Sequence, residues 1–245
     1  SGPTFRLGTS PTPFSPDDDG ENDVVRIAMS GVTDASRIVD WRIDIFDPRG
    51  NPFYQRSGSG RPPASIQWDG YSSDRELVQA AEDYLVHATL TDALGNVGEE
   101  REILPIDVLV LRDGANLKIR ISSIQFAPNS ADFLGFDAEK AERNLRTLTR
   151  LAEILRKYAG YEIRIEGHAV SVFWNDPVRA RREETEELAP LSKARAEAVK
   201  SGLVDLGIPA AQMTTVGMGG TQPLVPHGDL ENRWKSRRVE FILIR

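Results

Sequence analysis

The residue types that could do chemistry in this 245-residue chain are few, and they favour binding over catalysis. The sequence has no cysteine, which excludes disulfides, thiol catalysis and cysteine-ligated zinc. His168 has no serine or cysteine motif beside it that would complete a catalytic arrangement. The segment 217–220 is glycine-rich but lacks the lysine and hydroxyl residue of a phosphate loop, so we expect an ordinary turn. We therefore predict that the protein is not an enzyme.

An acidic segment near the N-terminus has the residue types that a hard cation prefers. Asp17, Asp19 and Asp23 surround Gly20, and carboxylate oxygens are the usual ligands of Ca²⁺. The spacing differs from that of the longer EF-hand loop. An acidic surface loop stabilised by Asx turns explains the same residues without a metal. The sequence thus leaves open a calcium site or a metal-free turn, and it indicates no other cofactor.

Arg195 is the cationic side chain that the surrounding pattern places most clearly. It lies in the segment 191–206, whose apolar spacing predicts a helix between the strand patterns 161–168 and 237–244. A guanidinium can grip a carboxylate through two parallel hydrogen bonds. Arg195 is therefore a candidate ligand-binding residue, and a salt bridge with Glu166 or another local acid is the alternative.

The first half of the chain alternates apolar and polar residues between turn-forming Gly, Pro and Asn residues. The segments that alternate in this way are 24–29, 40–46 and 84–90, and a last strand is predicted over 103–111. This pattern predicts an antiparallel β-sandwich over residues 14–114, preceded by an extended lead-in or edge segment over 1–13. Trp41 and Trp68 are expected to pack in its core.

The second half changes to helical spacing and to a different charge balance. Strands and helices are predicted in the order β-α-β-α-β-loop-β, which indicates an α/β sandwich with one mixed sheet over residues 117–245. The first lysine of the chain is Lys118, and before it acidic residues outnumber arginines about two to one. This shift supports two domains, and the acidic first half disfavours nucleic acid as a partner.

Motifs in the first half resemble the immunoglobulin-like modules of the flagellar-hook-cap (FlgD-like) and gliding-motility C-terminal type. The resemblance covers residues 11–112 and lies in the motifs 14–17, 41–50, 66–70, 84–86 and 92–96. These motifs mark strands and turns. The resemblance therefore implies an all-β Ig-like fold and says little about function.

Motifs in the second half resemble the OmpA-like C-terminal domain, over residues 117–245. The six motifs that carry this resemblance are 124–131, 163–168, 191–199, 206–208, 217–219 and 232–241. The resemblance implies non-covalent binding of peptidoglycan through the diaminopimelate of its stem peptide. The binding residues that it implies are Arg195, Asn129, His168, Asn232 and Arg233.

The sequence departs from that family pattern at the residue that would meet the ammonium group of the ligand. Val170 stands where the family has an aspartate, and the loop 170–190 is longer than usual. Asp176 on this loop could replace the missing carboxylate, or Trp174 could fill the pocket. The Arg/Glu run at 179–187 is typical of a solvated helix with i,i+4 pairs, and a partner surface is the alternative.

Together these patterns predict a non-enzymatic protein of the periplasm and cell envelope that contacts peptidoglycan weakly or in altered fashion. The alternative is a structural module that has lost this contact and binds another envelope protein. No apolar run is long enough for a membrane span. Ser1-Gly2-Pro3 resembles the remnant of a tag, so we expect any targeting segment or outer-membrane tether to lie outside this sequence.

Overall fold

A computed structural model of the chain describes residues 2–245, in two compact units, Ser1–Asp107 and Val108–Arg245. The sequence placed the division later, between residues 114 and 117. The structure moves this boundary to residues 107 and 108. The short strand Leu111–Asp113 pairs with residues 116–118 and so belongs to the sheet of the second unit.

The first unit is all β, with two antiparallel sheets. Its strands are Thr4–Ser10 (β1), Val25–Thr33 (β2), Ile38–Phe46 (β3), Pro52–Ser59 (β4), Ser65–Trp68 (β5), Asp83–Asp92 (β6) and Val97–Pro105 (β7). The sheet orders are β1-β2-β5 and β4-β3-β6-β7. Residues 1–13 were expected to form an extended lead-in or an edge segment, and the edge segment agrees with the structure, because β1 is an edge strand hydrogen-bonded to β2. The strand expected to reach residue 111 ends at Pro105.

Aromatic side chains from both sheets meet in the core of the first unit. The ring of Trp68 on β5 lies 6.1 Å from that of Phe53 on β4 and 6.0 Å from that of Phe14. Trp68 is 2% exposed, and its indole N–H donates to the carbonyl of Tyr71 at 2.9 Å. Trp41 is 8% exposed. The prediction that both tryptophans pack in the core is confirmed.

The second unit is a mixed α/β structure, as its pattern predicts. Its strands are Leu111–Asp113 (β8), Asn116–Ile121 (β9), Glu162–His168 (β10), Met213–Gly217 (β11) and Arg238–Ile244 (β12). Its helices are Ala138–Leu155 (α1), Pro177–Glu183 (α2) and Ala189–Asp205 (α3). The sheet order is β11-β10-β12-β9-β8, in which β10 and β11 are parallel and the other pairs antiparallel.

The predicted long loop 170–190 is corrected in its second half, which is helical. A π-helical segment, Glu184–Leu188, joins α2 to α3, and the residues flanking it have right-handed helical backbone angles. In the run of Arg and Glu residues, Arg182 and Glu186 form an i,i+4 pair at 2.9 Å. The interpretation of this run as a solvated helix therefore agrees with the structure except at Glu183, which is buried.

Helix α1 follows its sequence signals closely. The carboxylate of Asp137 accepts a hydrogen bond from the amide of Lys140 and caps the first turn. Leu148, Leu151 and Leu155 are buried at the spacing of one helix face. Within residues 2–245, no helix has both the length and the apolar character that crossing a membrane requires.

Candidate functional site

Helix α3 brings Arg195 to the sheet through an unusually close contact with β10. Ser192, Ala196 and Val199 form its buried stripe. A Cβ atom on Gly167 of β10 would lie 2.0 Å from the carbonyl oxygen of Ser192. Only glycine therefore permits this approach, which fixes the helix one turn before Arg195.

Two contacts orient the half-buried side chain of Arg195. Its Nε donates to the carbonyl oxygen of Ser130 at 3.0 Å, and its guanidinium carbon lies 4.8 Å from the centre of the Phe126 ring. Burial, and then the nearby charge of Arg237, lower the pKa of Arg195 below its ordinary value. We call Arg195, Ser130, Phe126 and Arg237 the Arg195 site.

The alternative that Arg195 forms a salt bridge with Glu166 is wrong. The Oε1 atom of Glu166 accepts from Arg164 at 2.9 Å. Throughout the described chain, Arg195 makes no ion pair with a carboxylate, and its terminal nitrogens make no hydrogen bond. These nitrogens form the edge that binds carboxylates bidentately. Arg195 can therefore offer its guanidinium edge to a ligand, since no acid among residues 2–245 forms an ion pair with it.

Asn129 shapes the turn that presents the Ser130 carbonyl to Arg195. Its φ of 51° lies in the left-handed region, which asparagine tolerates better than most residues. The amide of Ser130 donates to the carbonyl of Ala127 at 3.2 Å and closes the turn. Asn129 is thus the chain neighbour of Ser130, whose carbonyl contacts Arg195, and its side chain is exposed.

Glu183 holds the segment that follows Val170. Its carboxylate accepts from the hydroxyl of Ser171 at 2.6 Å and from the amides of Val172 at 2.8 Å and Phe173 at 3.1 Å. Burial favours a raised pKa for Glu183, but these hydrogen bonds outweigh it and the pKa is lowered. The loop that carries Val170 is therefore fixed by a buried, ionised carboxylate.

The glycine-rich segment 217–220 is a turn tied to the helices, as the sequence predicts. The amide of Gly219 donates to the hydroxyl of Ser192 at 2.9 Å. The amide of Gly220 donates to the carboxylate of Glu184 at 2.8 Å. In a phosphate loop such an amide would donate to the ligand, whereas here the amide of Gly220 donates to a carboxylate of the protein.

Neither Asp176 nor Trp174 takes the part in the pocket that the sequence suggested. The carboxylate of Asp176 caps α2, accepting from the amides of Val178 and Arg179 at 3.1 Å. Trp174 is 48% exposed, and its ring lies against Gly228. The position of Asp176 has a physical reason. The first turn of helix α2 has unpaired amides, and the carboxylate of Asp176 accepts hydrogen bonds from them.

His168 is also corrected, because its side chain is 1% exposed and cannot line a surface site. It lies on β10, where its Nε2 is 3.5 Å from an oxygen of Glu166 and 3.9 Å from an oxygen of Glu240. These distances exceed those of normal hydrogen bonds. His168 and, more weakly, Arg164 hold the pKa of Glu166 below its ordinary value.

Glu240 on β12 is the centre of a buried ion cluster that sequence inspection missed. Its carboxylate accepts from Arg238 at 2.6 Å and from Arg120 at 3.0 Å, and Lys118 lies 3.5 Å away. Burial alone would raise the pKa of Glu240, but Arg238 and Arg120 lower it to about 2.

The groups Glu166, His168 and Glu240 lie close enough together to hold a metal ion. However, the arginines already neutralise both carboxylates, so a divalent cation would add charge to a cationic surrounding. The arrangement fits a structural ion-pair network better. The feature of the sequence that could have indicated this network is the alternation of charged residues on β10 and β12. The cross-strand register of these strands pairs Glu166 with Glu240.

The last two residues implied by the resemblance lie in the segment before β12. Asn232 donates through Nδ2 to the carboxylate of Asp229 at 3.0 Å and accepts from Lys235 at 3.2 Å. Arg233 begins the 3-10 helix Arg233–Ser236 and is half-buried. Among residues 2–245, neither side chain forms a hydrogen bond or an ion pair with Arg195, so their binding role stays a prediction.

Comparison with known proteins decides the family. The OmpA family model matches residues 125–237. The peptidoglycan-associated lipoprotein of Brucella melitensis is 31% identical over 129 residues, which cover 51% of this chain and 70% of that protein. The chain belongs to the OmpA family. The matched region contains the Arg195 site, so the second unit is the OmpA-family domain.

Two further relatives share this OmpA-family similarity. The peptidoglycan-associated lipoprotein of Rhizobium meliloti is 29% identical over 178 residues, covering 71% of this chain and 95% of that protein. The probable lipoprotein YiaD of Escherichia coli is 28% identical over 136 residues, covering 56% of this chain. The chain spans 55% of the length of YiaD.

Outside the OmpA-family domain, the structure gathers the predicted calcium ligands. One carboxylate oxygen from each of Asp17, Asp19 and Asp23 lies within 4.8 Å of the others. Asp23 also accepts from the amides of Asp18 at 2.8 Å and Gly20 at 2.7 Å, as in a metal-free turn. The geometry is compatible with both interpretations, and calcium binding stays a prediction.

If the acidic loop binds calcium, 1 mM Ca²⁺ is expected to raise the melting temperature of the first unit, because a ligand of the folded state stabilises it. Each kcal/mol gained corresponds to about 4–8 °C in a domain of this size. Differential scanning calorimetry with and without EDTA measures the shift. Asp19→Asn should remove it, and an unchanged melting temperature in the parent protein would eliminate the calcium site.

Proposed function

We propose that this protein contacts peptidoglycan without catalysing a reaction, through the OmpA-family domain, and that Arg195 is the cationic contact. The observation that carries the proposal is the guanidinium edge of Arg195, which is oriented by Ser130 and Phe126 and engages no acid among residues 2–245. Two relatives named peptidoglycan-associated lipoproteins support the ligand class. They also support a place in the periplasm or cell envelope.

We propose further that the contact is weak or altered. A diaminopimelate side chain carries an ammonium as well as a carboxylate, and the ammonium needs an anionic partner. Val170 stands where the family resemblance implies that partner, and Asp176 is engaged as a helix cap. Loss of a hydrogen bond to a charged group costs about 1.5–3 kcal/mol. This corresponds to an affinity about ten- to a hundredfold weaker.

The first unit is proposed to be an Ig-like spacer or docking module. Its two antiparallel sheets with a shared aromatic core fit that architecture.

Titration of the full chain with meso-diaminopimelate or a stem peptide tests the proposal, together with co-sedimentation with peptidoglycan. Arg195→Ala is expected to weaken binding about tenfold or more, because it removes a charged hydrogen-bond donor. Arg146→Ala is the matched control, since Arg146 is exposed on α1 and pairs only with Glu142 in the described contacts. Absence of binding at millimolar ligand and to whole peptidoglycan would overturn the proposal.

The second candidate function is a protein-interaction module that has lost peptidoglycan binding. Exposed apolar side chains on the segment 170–190 favour it, since Val172 is 64% and Val178 79% exposed. Under this alternative, Arg195→Ala would leave the association with envelope material unchanged, whereas Val178→Asp would weaken it. Pull-down from solubilised envelopes with both variants separates the two functions.

A further inference from the structure

We infer that Asn144 on helix α1 is a positioning residue for Arg195, because it fixes the loop that orients the guanidinium. This loop spans residues 125–133 and supplies both groups that contact Arg195, the ring of Phe126 and the carbonyl of Ser130. We call it the 125–133 loop. The inference rests on the proposed contact with peptidoglycan and names a residue that determines how firmly this contact is made.

The side-chain amide of Asn144 joins the two ends of the 125–133 loop. Its Nδ2 donates to the carbonyl of Gln125 and to the carbonyl of Phe133, both at 2.7 Å. Its Oδ1 accepts from the backbone amide of Gln125 at 2.9 Å. Asn144 is 1% exposed, so breaking these bonds would leave buried polar groups unpaired, which is costly. The three bonds therefore fix the two ends of the loop relative to α1.

An asparagine is an unexpected residue on the buried face of α1. Leu148, Leu151 and Leu155 continue this face at helical spacing, and all three are buried. Asparagine has a low helix propensity, and burying its amide carries a desolvation cost. Across the described residues, every hydrogen bond of the Asn144 side chain goes to the 125–133 loop. The amide therefore serves the loop and not the helix.

Phe133, at the second end of the loop, packs against α3, the helix that carries Arg195. Its ring centre lies 5.6 Å from that of Phe126. A Cβ atom on Gly202 of α3 would lie 3.3 Å from the ring of Phe133, so this ring is close to the helix backbone. Arg195 and Gly202 are at i and i+7 and share one helix face. The loop thus contacts this face of α3 at two places, and Asn144 holds it from α1.

Backbone hydrogen bonds within the loop carry this constraint to Ser130. The amide of Ala127 donates to the carbonyl of Asp132 at 2.7 Å, and the amide of Ser130 donates to the carbonyl of Ala127 at 3.2 Å. Without Asn144, the loop ends would be free to shift and Arg195 would lose its fixed direction. Ordering one long side chain on binding weakens the affinity by a factor of about two to ten.

Asn144→Leu tests the inference, since leucine has a similar size and continues the apolar face but makes no hydrogen bond. Co-sedimentation of the full chain with peptidoglycan should show an affinity about two- to tenfold weaker. Leu155→Ala is the control for a general loss of stability, because Leu155 is 1% exposed on the same helix face. It should lower the melting temperature at least as much and leave the affinity unchanged. Equal weakening by both substitutions would overturn the inference.

The NMR signal of the Arg195 Nε–H group provides a readout that a general loss of stability does not move. In the parent protein this proton is bonded to the Ser130 carbonyl and should exchange slowly with water. Asn144→Leu should remove this protection and Leu155→Ala should retain it, with Arg195→Lys identifying the signal. If Asn144→Leu does not fold, Asn144→Gln replaces it, since it keeps an amide and moves it by one methylene group.

The two measurements separate failure of the inference from failure of the proposed function. Unchanged protection of the Arg195 proton in a folded Asn144 variant would overturn the inference and leave the proposed function standing. Absence of peptidoglycan binding by the parent chain would overturn the proposed function. The exchange measurement needs no ligand, so it would still decide whether Asn144 orients Arg195.

Discussion

Glu240→Gln is expected to destabilise the OmpA-family domain by about 3 kcal/mol, because removing one partner of a buried ion pair leaves the other charge uncompensated. The side chain of Glu240 is 2% exposed and that of Arg238 is 3% exposed, and their closest atoms are 2.6 Å apart. Glutamine keeps the size of the side chain but not its charge. The substitution therefore isolates electrostatics from packing.

Hydrogen exchange of β12 peptides under native conditions measures this loss within the domain. Glu153→Gln is the matched control, since Glu153 on α1 is 50% exposed and lies 3.0 Å from Arg150. Exposed pairs contribute about 0–1 kcal/mol, so the control should change little. Equal effects of the two substitutions would show that the cluster is not a strong stabilising element.

The effect of Glu240→Gln should also depend on pH, with a definite sign. The pKa of Glu240 is lowered from 4.5 to about 2, so the folded state favours the ionised carboxylate. Its contribution is present above the unfolded pKa and is lost as the pH falls from about 4.5 towards 2. The stability difference between the two proteins should therefore shrink across this window and stay constant between about pH 5 and 7.

Val170→Asp is expected to strengthen the binding of meso-diaminopimelate about ten- to a hundredfold, since it supplies a carboxylate for the ammonium group. Val170 is half-buried, and the neighbouring amide of Ala169 donates to the carbonyl of Gly219 at 2.8 Å. Glu183 fixes the following residues. The new carboxylate would thus extend from a rigid backbone.

Isothermal titration calorimetry of the full chain measures the gain, and Val172→Asp is its control. Val172 lies two residues further along the same segment and is 64% exposed. The substitution Val172→Asp therefore adds the same charge as Val170→Asp at a different position. An equal gain from both substitutions would indicate general electrostatics rather than a restored partner. No gain from Val170→Asp would show that this position does not face the ligand.

Local patterns determined most of the secondary structure. Helix α1 combines a capping aspartate, Asp137, with an apolar stripe, and both signals lie within a few turns of chain. The strands of the first unit alternate residue by residue and end at turn-forming residues. Such signals act over short distances and can be recognised without knowing the fold. The helical nature of 177–188 was suggested only by its charge spacing, and the π-helical junction had no local signal.

Contacts between residues that are far apart in sequence determined which side chains meet at and around the candidate site. The register of β10 against β12 brings Glu166 to Glu240 and buries His168 between them, which no local pattern reveals. Because residues 177–183 form a helix, the carboxylate of Asp176 caps its first turn. The buried carboxylate of Glu183 accepts hydrogen bonds from the loop after Val170.

The sequence by itself determined the family resemblance, the identity of Arg195 as a cation and the prediction that Val170 replaces a carboxylate, because these depend only on residue types and their order. Only the tertiary structure decided what surrounds Arg195. Ser130, 65 residues away, orients its guanidinium, and Arg237 adds a second positive charge. Hydrogen bonding and charge act through space, and the chain order does not specify which distant residues will meet.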